Sequence, residues 1–311
     1  MKTLLVGTGK MARAYAAVLK ALDLDFDIIG RSEAGVAGFE QETGMRARAG
    51  GVAVLEGAER GYSHAIIAVG IPELPRVAQE IITLGCPHIL LEKPGALYKN
   101  DLQSLRDEAQ KSGISVFIAY NRRYLSSVIK AREIVAEEGL RSFSFEFTEK
   151  LTAKESIKRF GTPKEVEDNW FIANSTHVVD LAFFLGGMPK EIRGFSAVGP
   201  LWAPHPSLFS GAGVTQNGVP FSYHANWELP GPWSVTIGTK KSTLVLLPLE
   251  QLSVLREGKL ERVEVDDALD REFKPGLYRQ VESFLRNKSE LPALDDQIVN
   301  FSWYEQILRR I

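Results

Sequence analysis

Near the N-terminus, Gly7-Thr8-Gly9-Lys10-Met11-Ala12 match the phosphate-binding pattern G-x-G-x-x-G/A. Gly7 permits a tight turn, and Gly9 lets the backbone approach a pyrophosphate. Ala12 is small enough for a helix to pack on a strand. Free N–H groups where a helix opens at Met11 would face the phosphate charge. The alternative is a glycine turn without phosphate. The flanks favour the dinucleotide, because a strand pattern precedes the turn and a helix pattern follows it.

A second candidate lies at the strand end Ile28-Ile29-Gly30-Arg31-Ser32. A site for NAD usually carries an acid here, on the ribose 2′-hydroxyl. Arg31 and Ser32 instead suit a 2′-phosphate, so the sequence predicts NADP in preference to NAD. Glu33 competes as a ribose partner, and an ordinary surface charge is the alternative for Arg31. A third candidate, Glu92-Lys93-Pro94, ends a strand at the edge of a parallel sheet where such folds place ligands. Lys93, fixed by the following proline, can aim its ammonium at a cofactor or substrate oxygen. Ala68 and Glu92 join Lys93 among the cofactor-binding candidates.

The strands and helices that carry these residues are legible in the pattern. Strands are predicted at Thr3–Val6, Phe26–Ile29, Ala65–Val69, Ile89–Leu91 and Ser115–Ala119, with helices at Met11–Leu22, Glu73–Leu84 and Asn100–Lys111. This alternation implies right-handed crossovers and a doubly wound parallel sheet, a Rossmann domain over residues 1–120. Beyond it the rhythm changes. Helices are predicted at Tyr124–Glu138, Asn174–Leu185, Leu277–Asn287 and Asp295–Ile311. Strands are predicted at 143–150, 192–197, 219–228, 233–239, 242–248, 252–256 and 260–265, with a hairpin turn at Gly258. Residues 121–311 therefore read as an α+β domain with a mostly antiparallel open sheet, suited to substrate binding and oligomerisation.

Bulk properties exclude several classes. The 311 residues carry a formal charge of −2, with 44% hydrophobic and 24% charged residues, which offers no footprint for nucleic acid or anionic membrane. The single cysteine, Cys86, reads as a small buried hydrophobe. No stretch approaches the roughly 18 apolar residues of a spanning helix, and the N-terminal apolar run is too short for a signal core, so a cytoplasmic location is expected. His64, His88, His205 and His224 lack metal-ligand spacing, and no metal is predicted.

The fingerprint, the Glu92-Lys93-Pro94 element and the later segment Asn174-Ser175-Thr176-His177-Val178-Val179-Asp180, in this order, resemble the Gfo/Idh/MocA family of oxidoreductases. The resemblance covers essentially the whole chain. It implies oxidation or reduction of hydroxyl and keto groups on sugars, cyclitols and sugar nucleotides, with a catalytic Lys93 and a His-x-x-Asp element at His177 and Asp180. The chemistry agrees with those residue types. A neutral imidazole can take the proton that leaves as hydride departs a carbinol carbon. A charged lysine stabilises alkoxide character on the same oxygen. Many family members carry an Asp four residues before this His and a Gly two before it; Ala173 and Ser175 stand there instead. Asp168 and Asn174 are the candidate replacements, and reliance on Lys93 alone is the alternative.

Arg122 and Arg123, beside Tyr124 at the expected domain junction, could hold a substrate phosphate, carboxylate or diphosphate, or form an exposed helix start. Trp170 could line a sugar cleft or pack in the core. Pro72 and Glu73 fall where the resemblance places a loop near the nicotinamide. The leading expectation is an NAD(P)-dependent oxidoreductase of CH–OH groups, with a cleft between the domains and Lys93 and His177 facing the nicotinamide. Its rivals are a non-catalytic NADP(H)-binding sensor and a reductase of a non-sugar ring on the same plan. The resemblance further implies a homodimer or homotetramer through the second sheet, driven by exposed apolar sheet faces.

Overall fold

The computed structural model describes residues 2–55, 61–149, 161–288 and 290–309. Lys150, Arg310 and Ile311, which the pattern assigns to a strand and to the last helix, lie outside the described residues. Contacts divide the chain into two compact units, Met1–Asn121 with Arg271–Ile298, and Arg122–Asp270 with Val299–Ile311.

The first unit holds a six-stranded parallel sheet of β1 (Lys2–Val6), β2 (Asp25–Gly30), β3 (Arg48–Ala49), β4 (His64–Ile67), β5 (His88–Glu92) and β6 (Ser115–Ala119), in the order β3-β2-β1-β4-β5-β6. The order reverses between β1 and β4, so their carboxyl ends open the crevice where doubly wound sheets bind ligands. Leu4, Leu5, Ile66, Ile67, Leu90 and Leu91 are all buried, as continuous apolar runs in parallel strands require. Between the strands run α1 (Lys10–Ala21), α2 (Glu33–Thr43), α3 (Leu74–Leu84) and α4 (Lys99–Lys111). The core face of α1 is Ala12, Tyr15, Ala16 and Leu19, a helical spacing that the sequence displays. The pattern does not show α2, which buries only Val36 and Phe39 and contains Gly35 and Gly38. Local capping forms it nonetheless: the Ser32 hydroxyl accepts from Gly35 N at 3.2 Å, and Gly44 closes it at φ 68°.

The second unit begins with α5 (Ser126–Glu138) and builds an eight-stranded sheet from β7 (Leu140–Phe147), β8 (Pro189–Ala197), β9 (Leu208–Thr215), β10 (Pro220–Asn226), β11 (Trp233–Thr239), β12 (Thr243–Leu246), β13 (Leu252–Arg256) and β14 (Lys259–Arg262). Their order is β14-β13-β12-β11-β7-β10-β9-β8, and β7 with β10 is the parallel pair in an otherwise antiparallel sheet. Two helices, α6 (Lys164–Asp168) and α7 (Thr176–Gly186), are joined by a π-helical turn at Phe171–Ser175. Phe143, Phe145 and Phe147 point to the inner face, where Phe143 stacks on Phe221 at 5.0 Å and Phe145 meets Phe183 of α7 edge-on at 5.7 Å. Gly186 must be glycine, because a Cβ there would lie 2.3 Å from the Phe143 ring.

Strand β9 does not stand out in the sequence, since glycine in a strand reads as a breaker. Here Gly211 and Gly213 make room for Tyr223 and Phe221 of the neighbouring strand; a Cβ on either would lie within 2.5 Å of those side chains. The outer face corrects a further expectation. Ser144, Ser210, Ser222, His224 and Thr236 lie on it, with Phe195, Leu255 and Leu260 as exposed apolar exceptions, so this face is mainly polar.

After the short α8 (Ala268–Glu272), residues 271–298 return to the first unit with α9 (Leu277–Arg286) and the start of α10 (Leu294–Leu308). The division at residue 120 assigns this segment to the second domain. An amphipathic stripe does not announce which sheet it covers; here α9 packs on α1, and Ile118 N donates to Pro292 O at 2.8 Å. No described helix is long and apolar enough to cross a membrane.

Candidate functional site

In the first unit the turn from β1 into α1 is shaped by contact with β4. Gly7 has φ 126°, and a Cβ there would fall 2.3 Å from the Ala68 carbonyl oxygen. Ala68 N in turn donates to Val6 O at 2.8 Å, which holds the two strand ends together at the switch point. Gly9 is the N-cap of α1 and supplies no side-chain cap, and no protein atom lies within 4 Å of where its Cβ would be. Open space over Gly9 and an uncapped helix start at Lys10, Met11 and Ala12 fit a pyrophosphate. Thr8 packs over the end of β2, where a Cβ on Gly30 would lie 2.6 Å from its methyl group.

Arg31 follows Gly30 with its side chain 81% exposed, 3.9 Å from Glu73 Oε1. Glu73 closes the turn after Pro72 and is held more closely by Arg76, at 2.5 Å, which keeps its carboxyl below the usual range. The Arg31 guanidinium is therefore accessible to an anion. The Ser32 hydroxyl is engaged as the α2 cap.

Glu92, Lys93, Pro94 and Gly95 form a tight turn in which Gly95 N donates to Glu92 O at 3.0 Å. Two residues distant in sequence anchor it. The Tyr15 hydroxyl donates to Glu92 Oε1 at 2.7 Å, and Gln297 Nε2 donates to Pro94 O at 2.9 Å. Burial raises the Glu92 carboxyl above its ordinary range, against the pull of the Tyr15 hydrogen bond and of the Lys93 and Lys274 charges. Glu92 thus spends one oxygen inside the protein. Cys86 is buried, and burial pushes its thiol up to about 11, away from nucleophilic use.

In the second unit the segment around His177 is buried except at Asn174 and His177, which are half-exposed three residues apart. The π turn re-registers the chain just before α7, a device frequent at functional sites. Asn174 Nδ2 donates to Glu149 Oε1 at 2.6 Å, and Glu149 is buried just beyond β7. The His177 ring lies 6.2 Å from Trp233 at the start of β11, and the Arg122 guanidinium lies over the same indole at 5.0 Å. Asn174, His177, Glu149, Arg122 and Trp233 therefore form one cluster.

Other candidates fall elsewhere. Arg123 binds both oxygens of Asp180, Nε to Oδ2 at 2.8 Å and Nη2 to Oδ1 at 2.5 Å, and its guanidinium also covers Phe184 at 4.6 Å. Asp180 is buried and anchors α7, and the Arg123 fork is committed to it. Asp168 pairs with Lys164 and with His205 Nε2 at 2.8 Å, so its carboxylate is engaged with partners other than His177. Trp170 joins an aromatic cluster, 6.3 Å from Trp202, which in turn lies 5.0 Å from Trp227. Among the described residues no group of three His, Cys, Asp or Glu side chains is arranged to hold a metal ion.

Glu149 and Trp233 escape the sequence argument. Glu149 reads as the tail of a strand and Trp233 as the head of one, and only the sheet order brings β7 and β11 side by side.

No family model matches the chain, and no curated protein matches its sequence. Its fold is shared by solved oxidoreductases. The UDP-N-acetylglucosamine 3-dehydrogenase of Acidithiobacillus ferrooxidans superposes with a TM-score of 0.77 at 16% identity, covering 100% of this chain and 97% of that one. An oxidoreductase from Agrobacterium radiobacter, in complex with NAD+, L-tartaric acid and magnesium, gives 0.79 at 17% identity over 99% and 96%. A levoglucosan dehydrogenase, in complex with NADH and L-sorbose, gives 0.77 at 16% identity over 100% and 99%.

Proposed function

We propose that the protein is an NAD(P)-dependent oxidoreductase acting on a CH–OH or keto group of a sugar, cyclitol or sugar-nucleotide-like substrate. The observation that carries this reading is the Gly7–Ala12 turn, open over Gly9 and placed at the switch point of a 3-2-1-4-5-6 sheet. The sugar-acting dehydrogenases that share the fold support it, as does the resemblance of the Glu92-Lys93-Pro94 and His177 segments to the Gfo/Idh/MocA family.

A bound nicotinamide dinucleotide would supply or accept the hydride. The N–H groups of Lys10, Met11 and Ala12 hold its pyrophosphate, and Arg31, with Ser32 beside it, receives a 2′-phosphate, which favours NADP. His177 takes the proton from the substrate hydroxyl in oxidation and returns it in reduction. Lys93, held by the turn that Tyr15 and Gln297 anchor, keeps a positive charge near that oxygen. Arg122 and Asn174 bind the substrate. A homodimer or homotetramer through the eight-stranded sheet completes the reading, and a sedimentation mass of one 34.5 kDa chain would count against it.

The test is a substrate screen with NADP+ and NAD+ followed by Lys93→Ala and His177→Ala on the best substrate. Each variant should lose turnover by about 100-fold or more while still binding the dinucleotide. Full turnover in either variant would remove that residue from the mechanism.

A further inference from the structure

We propose that Arg122 is the anchor for a carboxylate on the substrate, which narrows the substrate class to sugar acids and related polyhydroxy acids. The inference deepens the oxidoreductase reading and rests on it.

Two adjacent arginines in one turn have opposite surroundings. Arg123 has a buried carboxylate matched to its fork. The Arg122 guanidinium makes no hydrogen bond or ion pair with any described residue, and its Nε is buried without a partner. Burial lowers the pKa of its guanidinium, against the distant pull of Glu250 and Glu149. A largely buried guanidinium whose Nε has no partner is costly, and a planar oxyanion with two acceptor oxygens is what completes it.

The position is also right for a substrate. The guanidinium lies on the Trp233 indole, 5.0 Å from its centre, and that same indole neighbours His177. This cation–π contact holds the guanidinium against the ring, which restricts where its donors lie before a ligand arrives. The surroundings choose between anions. Glu149 and Glu250 act on Arg122 through space, and Glu149 is itself tied to Asn174. Two carboxylates whose charges already act on this cation favour a monoanion over a phosphate dianion. A carboxylate is the oxyanion that meets both requirements.

The experiment is calorimetric titration at pH 7, with saturating dinucleotide, of D-gluconate and D-glucuronate against their neutral counterparts D-glucitol and D-glucose. D-glucose 6-phosphate is the phosphate arm. At least one acid should bind about ten- to hundredfold more tightly than its neutral counterpart. Arg122→Gln should erase the difference, and Arg122→Lys, which keeps the charge without the fork, should retain only part of it. Both variants are compared after their melting temperatures and dinucleotide affinities are shown to match the parent. If Arg122→Gln does not fold, the partial loss in Arg122→Lys is the deciding result. Equal binding of acid and neutral sugar, failure of both acids to bind, tighter binding of the phosphate, or an acid preference that survives in the variants overturns the inference. Dinucleotide titration without sugar separates the two failures. If NADPH or NADH binds and no acid preference exists, only the carboxylate anchor falls; if neither binds, the oxidoreductase reading falls with it.

Discussion

Arg123 and Asp180 form a two-pronged ion pair, at 2.8 and 2.5 Å, that ties the turn after β6 to the middle of α7. The Asp180 side chain is 1% exposed and that of Arg123 13%, so each is the other's replacement for water. Removing either charge leaves the other buried without this ion pair. Asp180→Asn or Arg123→Met should each destabilise the protein by about 3–5 kcal/mol. Urea unfolding would register this as a lowered midpoint, and a shift below about 1 kcal/mol would show the pair to be dispensable.

Two glycines of one motif should behave differently. Gly7→Ala meets the Ala68 carbonyl and a positive φ, so it should lower stability by more than about 1 kcal/mol. Gly9→Val meets no protein atom, so it should leave the melting temperature within a few degrees while weakening dinucleotide binding about tenfold or more. Melting curves with and without NADPH separate the two. A large loss of stability in Gly9→Val would mean that the space over Gly9 belongs to the fold.

Cofactor choice should rest on Arg31. The parent should bind NADPH at least about tenfold more tightly than NADH, roughly 1.4 kcal/mol, and Arg31→Ala should bring the two together. Fluorescence quenching of the tryptophans measures both. Tighter NADH binding in the parent would move attention to Glu33.

Acid should weaken the first unit through His64. Its ring lies 5.0 Å from His88 and 5.1 Å from Phe284, and burial, with the Lys288 and His88 charges, lowers its pKa to about 4. The unfolded chain titrates near 6.5. A depressed folded value means that the neutral ring is preferred, so this stability is complete above pH 6.5 and drains away as pH falls toward 4. Between pH 7.5 and 5 the loss should be about 2 kcal/mol. His64→Leu should flatten the profile of urea midpoint against pH, and an unchanged slope would assign the acid sensitivity elsewhere.

The first sheet is largely legible in the sequence because its signals are local. Runs such as Ile28-Ile29 and Ile89-Leu90-Leu91, and the glycine turn at Gly7, need only their own neighbours to be read. What escapes has no local signal of that kind. Helix α2 carries too few buried residues to show a period, and the glycines of β9 make sense only once Phe221 and Tyr223 lie over them. Segment 271–298 is helical by pattern, yet its allegiance to the first unit is a matter of packing.

The same division runs through the candidate site. The glycine turn at Gly7–Ala12 was readable as a candidate dinucleotide site from its own contiguous pattern, whereas Lys93 and His177 became catalytic candidates through the resemblance of their segments. What stands beside them follows from packing alone. Arg122 and Arg123 are equivalent as letters, but one meets Asp180 and the other lies on Trp233. Glu149 reaches Asn174 across 25 positions of chain. Hydrogen bonds and desolvation act over a few ångströms of space, and distance along the chain does not tell which groups will share those ångströms.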